Sequence, residues 1–159
     1  MKISSKGRHA LRLLIDLAQH QNDGFVSLRE ISDRQNVSKQ YLEQVILVLA
    51  PTKFLRASRG KQGGYKLANE PSKYTVGQIL RITEGSLAFA PCLEFDVNEC
   101  NSISMCRTLP IWKGLGKVVS DYLDNITLQN ILDMETNTCK DCEDGKCESH
   151  VKAECGCSF

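Results

Sequence analysis

Apolar and polar positions along this chain recur with a helical period, and the interruptions mark its joints. After Ser4 and Ser5, either of which can cap a helix, Leu11, Leu14, Ile15 and Ala18 fall at i, i+3, i+4 and i+7, so the spacing predicts a helix over about 6–21. The turn residues Gln21-Asn22-Asp23-Gly24 end it, and Ser27-Leu28-Arg29-Glu30 forms a capping box that opens a short second helix to about Arg34. Gln35-Asn36-Val37-Ser38 is a tight break, and Ser38 caps a third helix with Tyr41, Leu42, Val45, Ile46 and Leu49 on its buried face. Two short helices about a four-residue turn have the form of a helix-turn-helix.

The period then changes from helix to strand. Phe54-Leu55-Arg56-Ala57-Ser58 and Tyr65-Lys66-Leu67-Ala68 flank Arg59-Gly60-Lys61-Gln62-Gly63-Gly64, a basic, glycine-rich hairpin. A helix-turn-helix followed by such a hairpin is the winged-helix arrangement. Beyond the joint at Pro71 and Ser72, Thr75-Val76-Gly77-Gln78 is a second capping box, opening a helix with Val76, Ile79, Leu80 and Thr83 inward and Gly85 at its end. Pro110 introduces a helix whose apolar stripe is Trp112, Leu115, Val119, Tyr122 and Ile126, and Thr127-Leu128 begins a short turn containing Ile131 and Leu132. The expected class is mainly α with a small β-hairpin wing: a winged helix-turn-helix plus a long dimerisation helix. Residues 1–85 form the DNA-binding domain, 86–109 a cysteine-rich loop, 110–133 the dimerisation helix with a short following helix, and 134–159 a cysteine-rich tail.

Charge sharpens this division. The net charge of +1 conceals a basic half: residues 1–70 carry twelve Lys and Arg against six Asp and Glu, and residues 71–159 carry eight against thirteen. A basic half with helix-turn-helix pattern points to a polyanion partner, double-stranded DNA. Lys39, Gln40, Glu43 and Gln44 on the exposed face of the third helix are polar groups able to reach base edges, and Arg59 and Lys61 at the hairpin tip suit phosphates or a narrow minor groove. Other classes recede. The N-terminus lacks an apolar signal core and no apolar run approaches the ~20 residues of a membrane span, so a cytoplasmic protein without a membrane partner is expected. No nucleophile–base pair, phosphate loop or carboxylate dyad with usable spacing is present, so no enzyme activity is expected.

The cysteines add the candidate chemistry. Eight of them in a chain of this kind point to metal ligation or redox sensing rather than to a disulfide framework. Cys92, Cys100 and Cys106 lie within fifteen residues that have no regular apolar period, which reads as a ligand loop; the competing reading is three thiols packed as small hydrophobes. Cys139, Cys142, Cys147, Cys155 and Cys157 occupy a tail with no periodic hydrophobicity, either disordered with reactive thiols or organised by metal; its first two gaps match a zinc knuckle but the remaining pattern does not, and zinc is a candidate there. Three thiolates are one short of the four ligands usual for an iron-sulfur cluster. His9, a tail cysteine, or Glu94, Asp96 and Glu99 of the loop are the candidates for the fourth, although the favoured reading of His9 is an ordinary residue on a polar helix face.

Over residues 1–133 the chain resembles the winged-helix iron-sulfur regulators, a family that includes an iron-sulfur cluster assembly regulator, a nitric-oxide sensor and a cysteine-metabolism repressor. The motifs that carry the resemblance are Met1-Lys2-Ile3-Ser4-Ser5-Lys6-Gly7-Arg8, Ser38-x-x-Tyr41-Leu42-Glu43-Gln44, Arg59-Gly60-x-x-Gly63-Gly64-Tyr65, the three cysteines, and Asp124-Asn125-Ile126-Thr127-Leu128, with the assembly regulator as the nearest member. The resemblance implies a homodimer formed through the helix near 110–126, entry of Arg59 into the minor groove, and tuning of sequence preference by Glu43. It also implies a cluster on Cys92, Cys100 and Cys106, with [2Fe-2S] favoured over [4Fe-4S]. This chain departs from the family at two places. Its first cysteine gap is seven residues where about five are expected, and Leu109 stands where the assembly regulator has a histidine, while Arg8 stands at the nitric-oxide sensor's aspartate. Two rivals share some of these features: a cluster-free thiol- or partner-enzyme-sensing repressor of the same fold, and an iron-sulfur or zinc carrier.

Overall fold

The computed structural model describes residues 3–20, 24–60, 63–94, 100 and 102–135. Lys61, the loop residues Asp96 and Glu99, and all five tail cysteines lie outside them, and with those cysteines the expected zinc site.

Ser4 starts the first helix, α1 (Ser5–His20): its hydroxyl accepts from the Gly7 N–H at 3.2 Å and its carbonyl from the Arg8 N–H. The Ser27–Glu30 capping box is present with both reciprocal bonds and opens α2 (Leu28–Gln35). Asn36 ends that helix with φ 52°, a left-handed conformation that its short polar side chain tolerates, and the Ser38 hydroxyl caps α3 (Lys39–Leu49) by accepting from the Tyr41 N–H. Strands β1 (Leu55–Ser58) and β2 (Gly64–Leu67) pair antiparallel with Leu55 opposite Leu67 and Ser58 opposite Gly64. Val26 adds a third edge by exchanging two backbone bonds with Tyr65, at 2.9 and 2.8 Å. A Cβ on Gly64 would collide with the Val26 carbonyl, so only glycine lets the strand come that close. The Thr75–Gln78 box opens α4 (Val76–Glu84), and α5 (Leu109–Asn125) and α6 (Leu128–Glu135) complete the chain. The arrangement is a winged helix-turn-helix followed by a long helix. No helix among the described residues is long and apolar enough to cross a membrane.

One hydrophobic core joins these parts. Leu13, Leu14 and Leu17 of α1, Ile31 of α2, Leu42, Val45 and Leu49 of α3, Ile79 of α4 and Leu128 of α6 are buried together. Tyr74 sits among them with its hydroxyl satisfied at both ends: it accepts from the Asn69 N–H at 2.7 Å and donates to the Phe54 carbonyl at 3.1 Å. The buried Asp16 carboxylate receives Arg34 Nε–H at 3.0 Å and holds α1 to α2.

Three expectations need correction. The buried face of α1 is Ala10, Leu13, Leu14 and Leu17, whereas Leu11, Ile15 and Ala18 are only half-buried. Because α1 packs against α3, α4, α6 and β2, its apolar residues spread beyond a single stripe. The short helix expected after α5 runs over Leu128–Glu135, two residues past its expected end at 133, and is anchored by Leu128, which is wholly buried. In α5 no residue is buried: of the expected stripe Trp112, Leu115 and Tyr122 are exposed, whereas Val119 and, just past the helix, Ile126 are half-covered, and Ile111 and Val118 join the exposed apolar positions.

The Asp124–Leu128 motif shows why α5 holds its place. Arg81 donates two bonds to the Asp124 carboxylate, at 2.6 and 2.7 Å, across 43 residues of sequence, and a Cβ on Gly77 would strike that carboxylate. Ile126 O accepts the Val76 N–H at 2.9 Å, and Thr127 and Asn130 cap α6 reciprocally. The Arg81 hydrogen bonds hold Asp124 below its ordinary 3.8. The pair's contribution to stability is therefore complete above that value and is lost as the pH falls through the lower native one. Both side chains are partly exposed, which limits the pair to roughly 0.5–1 kcal/mol. Asp124→Asn is expected to lose that increment at pH 7 and to show a correspondingly flatter acid limb below pH ~4 in urea unfolding.

Candidate nucleic-acid interface and cysteine loop

Capping by Ser38 and burial of Leu42, Val45, Ile46 and Leu49 leave the opposite side of α3 to solvent. Lys39, Gln40, Glu43, Gln44 and Leu47 are all exposed there. Lys39 Nζ lies 3.5 Å from Glu43 Oε1, so the one acidic group of this face is partly neutralised by its neighbour. The apolar member, Leu47, escaped the sequence pattern because it falls off the period of the buried leucines.

The wing is tied by the Val26–Tyr65 bonds to the segment that precedes α2, and β2 packs against α1. Gly60 adopts φ +111°, a value that excludes most side chains, and its carbonyl accepts the Gly63 N–H at 3.0 Å, closing the turn. Arg59 is exposed at this tip. The Arg-Gly-x-x-Gly-Gly spacing thus has a separate reason at each glycine: turn conformation at Gly60, a close approach to the Ser58 carbonyl at Gly63, and contact with Val26 at Gly64.

The cysteine loop occupies the connection between α4 and α5. Cys92 lies half-buried in the turn Pro91–Leu93, Cys100 is exposed, and Cys106 is half-buried just before α5; none of the three is in a disulfide. Thr108 Oγ1 is 3.4 Å from Cys106 Sγ, and this hydroxyl, followed by the backbone N–H groups of Thr108 and Leu109, holds the Cys106 thiol below its ordinary pKa. The thiolate is the form that ligates metal, so the donor chemistry suits a soft metal cofactor. Among the described residues, however, no three His, Cys, Asp or Glu side chains are gathered to hold a metal ion. Beside the loop is a cleft of about 680 Å³ whose lining includes Arg81, Phe89, Leu93, Trp112 and Lys113.

His9 is committed on two sides. Its Nδ1–H donates to the Ser5 carbonyl at 2.6 Å, and its ring stands edge-on to Tyr41 with centroids 5.2 Å apart, which leaves Nε2 for any other partner. Glu94 is exposed. The residues that sequence reasoning missed are Arg81, Glu84 and Thr108. Arg81 clasps α5, Glu84 accepts the Ser4 hydroxyl at 2.7 Å, and the Thr108 hydroxyl lies 3.4 Å from Cys106 Sγ. The first two are long-range pairs with no local signature, and Thr108 is visible only as a hydroxyl two residues from a cysteine.

A family model described as Rrf2, iron-dependent transcriptional regulator, matches residues 3–134. The HTH-type transcriptional regulator IscR of Yersinia pseudotuberculosis is 34% identical over 132 residues, 83% of this chain and 79% of that protein. Among solved structures, T. potens IscR is 38% identical with a TM-score of 0.69, covering 88% of this chain and 93% of that one. CymR, the global cysteine regulator of B. subtilis, is 30% identical with a TM-score of 0.70, covering 84% and 98%. These relatives are transcriptional regulators rather than enzymes, and the protein belongs to the Rrf2 family of DNA-binding transcriptional regulators.

Proposed function

We propose that this regulator acts as a homodimer whose hold on its operator is set by an iron-sulfur cluster bound by Cys92, Cys100 and Cys106. The observation that carries the proposal is the position of the three thiols. They fall in the single connection between α4, which belongs to the winged helix, and α5, whose apolar line Ile111, Leu115, Val118 and Tyr122 is exposed among the described residues. Whatever draws the thiols together therefore acts on the joint between the DNA-reading unit and the dimer helix, favouring one spacing of the two winged helices over another. Supporting it are the family's description as iron-dependent and the Thr108 hydroxyl beside Cys106, which lowers that thiol's pKa. When bound, the cluster supplies a redox-active cross-link whose presence follows iron and sulfide supply; [2Fe-2S] is favoured over [4Fe-4S]. His9, with Nε2 still open, is the candidate fourth ligand, supplied from the partner subunit's copy of α1.

On DNA, α3 is proposed to enter the major groove with Lys39, Gln40, Glu43 and Gln44 at base edges, while Arg59 and Lys61 of the wing meet the minor groove. Arg59→Ala is expected to weaken operator binding about tenfold and to relax minor-groove preference. Gln40→Ala or Glu43→Ala is expected to change which sequence is selected. Fluorescence anisotropy on duplexes selected from a randomised pool checks all three, and unchanged affinity together with unchanged preference in every variant would refute the docking.

A second reading is favoured by the likeness to CymR: the same DNA-binding dimer without a cluster, responding through its thiols or a partner enzyme. Anaerobic purification with visible absorption, iron and sulfide analysis separates the two, run on wild type beside Cys92→Ala, Cys100→Ala, Cys106→Ala and His9→Ala. A coloured protein bleached by each cysteine change supports the cluster. A colourless, iron-free dimer that still binds its operator supports the second reading, and a coloured protein without DNA affinity supports the carrier.

A further inference from the structure

We propose that Leu47 is a specificity residue, reading the 5-methyl group of a thymine in the major groove. The inference rests on the docking of α3 described above. Leu47 is 72% exposed, and the other large apolar side chains exposed among the described residues all belong to residues 105–134; on the winged helix it is alone. At about 100° per residue, Leu47 falls roughly 20° from Gln40, between Glu43 and Gln44, and opposite Leu49. It thus occupies the centre of the polar face and contributes nothing to the core. From Gln40 to Leu47 the helix rises about 10 Å, roughly three base-pair steps, so both can face base edges of the same groove. A leucine there has no hydrogen bond to offer. What it matches in the major groove is the one apolar group displayed, the thymine methyl, and each water-exposed methyl so covered favours that base. The Lys39–Glu43 contact keeps the surrounding face near neutral, so a base edge can approach Leu47 without an unpaired carboxylate beside it.

The experiment selects duplexes from a randomised pool with wild type, Leu47→Ala and Leu47→Met, then replaces each thymine of the wild-type consensus by deoxyuridine, which removes only the methyl. The expected result is one thymine whose replacement weakens wild type about fourfold, the worth of one buried methyl, with the same sensitivity in Leu47→Met and none in Leu47→Ala. Because Leu47 is exposed, all three proteins should melt alike. If no thymine replacement affects wild type more than Leu47→Ala, while Gln40→Ala or Glu43→Ala still shifts the selected sequence, the proposal for Leu47 is overturned and the docking stands. If none of these variants changes the selected sequence, both fall together.

Discussion

Val118→Asp should yield a folded monomer whose operator affinity is about 100-fold lower than that of wild type, because two tethered half-site contacts become one. Ile111, Leu115, Val118 and Tyr122 are 62%, 39%, 66% and 65% exposed in the single chain. At about 100° per residue they fall within a ~60° arc of α5, one continuous apolar line over three turns. A two-fold interface uses the same patch twice, so one substitution places two carboxylates in the seam, where burial without a partner is costly. Val118 is exposed and lies outside the core cluster, so the melting temperature of the isolated fold should hardly change apart from the linked loss of the proposed dimer. Light scattering and anisotropy on the selected duplex check this; a Val118→Asp protein that remains dimeric at low concentration removes α5 from the interface.

Leu128→Ala should do the opposite, lowering the unfolding free energy by about 3 kcal/mol with no direct effect on the exposed faces. Leu128 is wholly buried against α1 and beside Tyr74, whose carbonyl accepts its N–H at 3.0 Å, so the truncated side chain leaves a cavity under the point where α5 rejoins the winged helix. Against a total of about 5–15 kcal/mol for a domain of this size, that loss is large. It should appear as a shift of the urea midpoint, with DNA binding retained wherever the protein is folded. A change under 1 kcal/mol would mean that α6 is not part of the core.

The contrast between these two leucine- and valine-bearing helices shows what the sequence could convey. Local devices were legible: the Ser27–Glu30 and Thr75–Gln78 capping boxes, the αL break at Asn36 and the glycine turn at Gly60 each depend on neighbours within a few residues. The buried face of α3 was legible because only one side of it meets the core. For α1 and α5 the pattern misled in opposite ways. α1 is wrapped on several sides, so apolar residues beyond its true face mimic a stripe. In α5 the covered positions and the outward ones are both apolar, and periodicity carries no mark of which face the core lies on. The contacts that fix α5, Arg81 with Asp124 and Ile126 with Val76, join residues far apart in the chain, and nothing at either end announces the other. For the cysteine loop, residue type and spacing were visible, but where the three thiols lie relative to one another depends on the backbone path, which spacing does not encode.

Operator binding by the anaerobically purified protein, measured before and after treatment with an iron chelator, tests the proposed coupling between the cysteine loop and the DNA-reading face most directly. The expected result is a cluster-dependent change in affinity or in the sequence selected, abolished when Cys92, Cys100 and Cys106 are all replaced by alanine, with the triple variant still folded and dimeric. Identical binding by the iron-loaded, iron-stripped and triple-alanine proteins would contradict it.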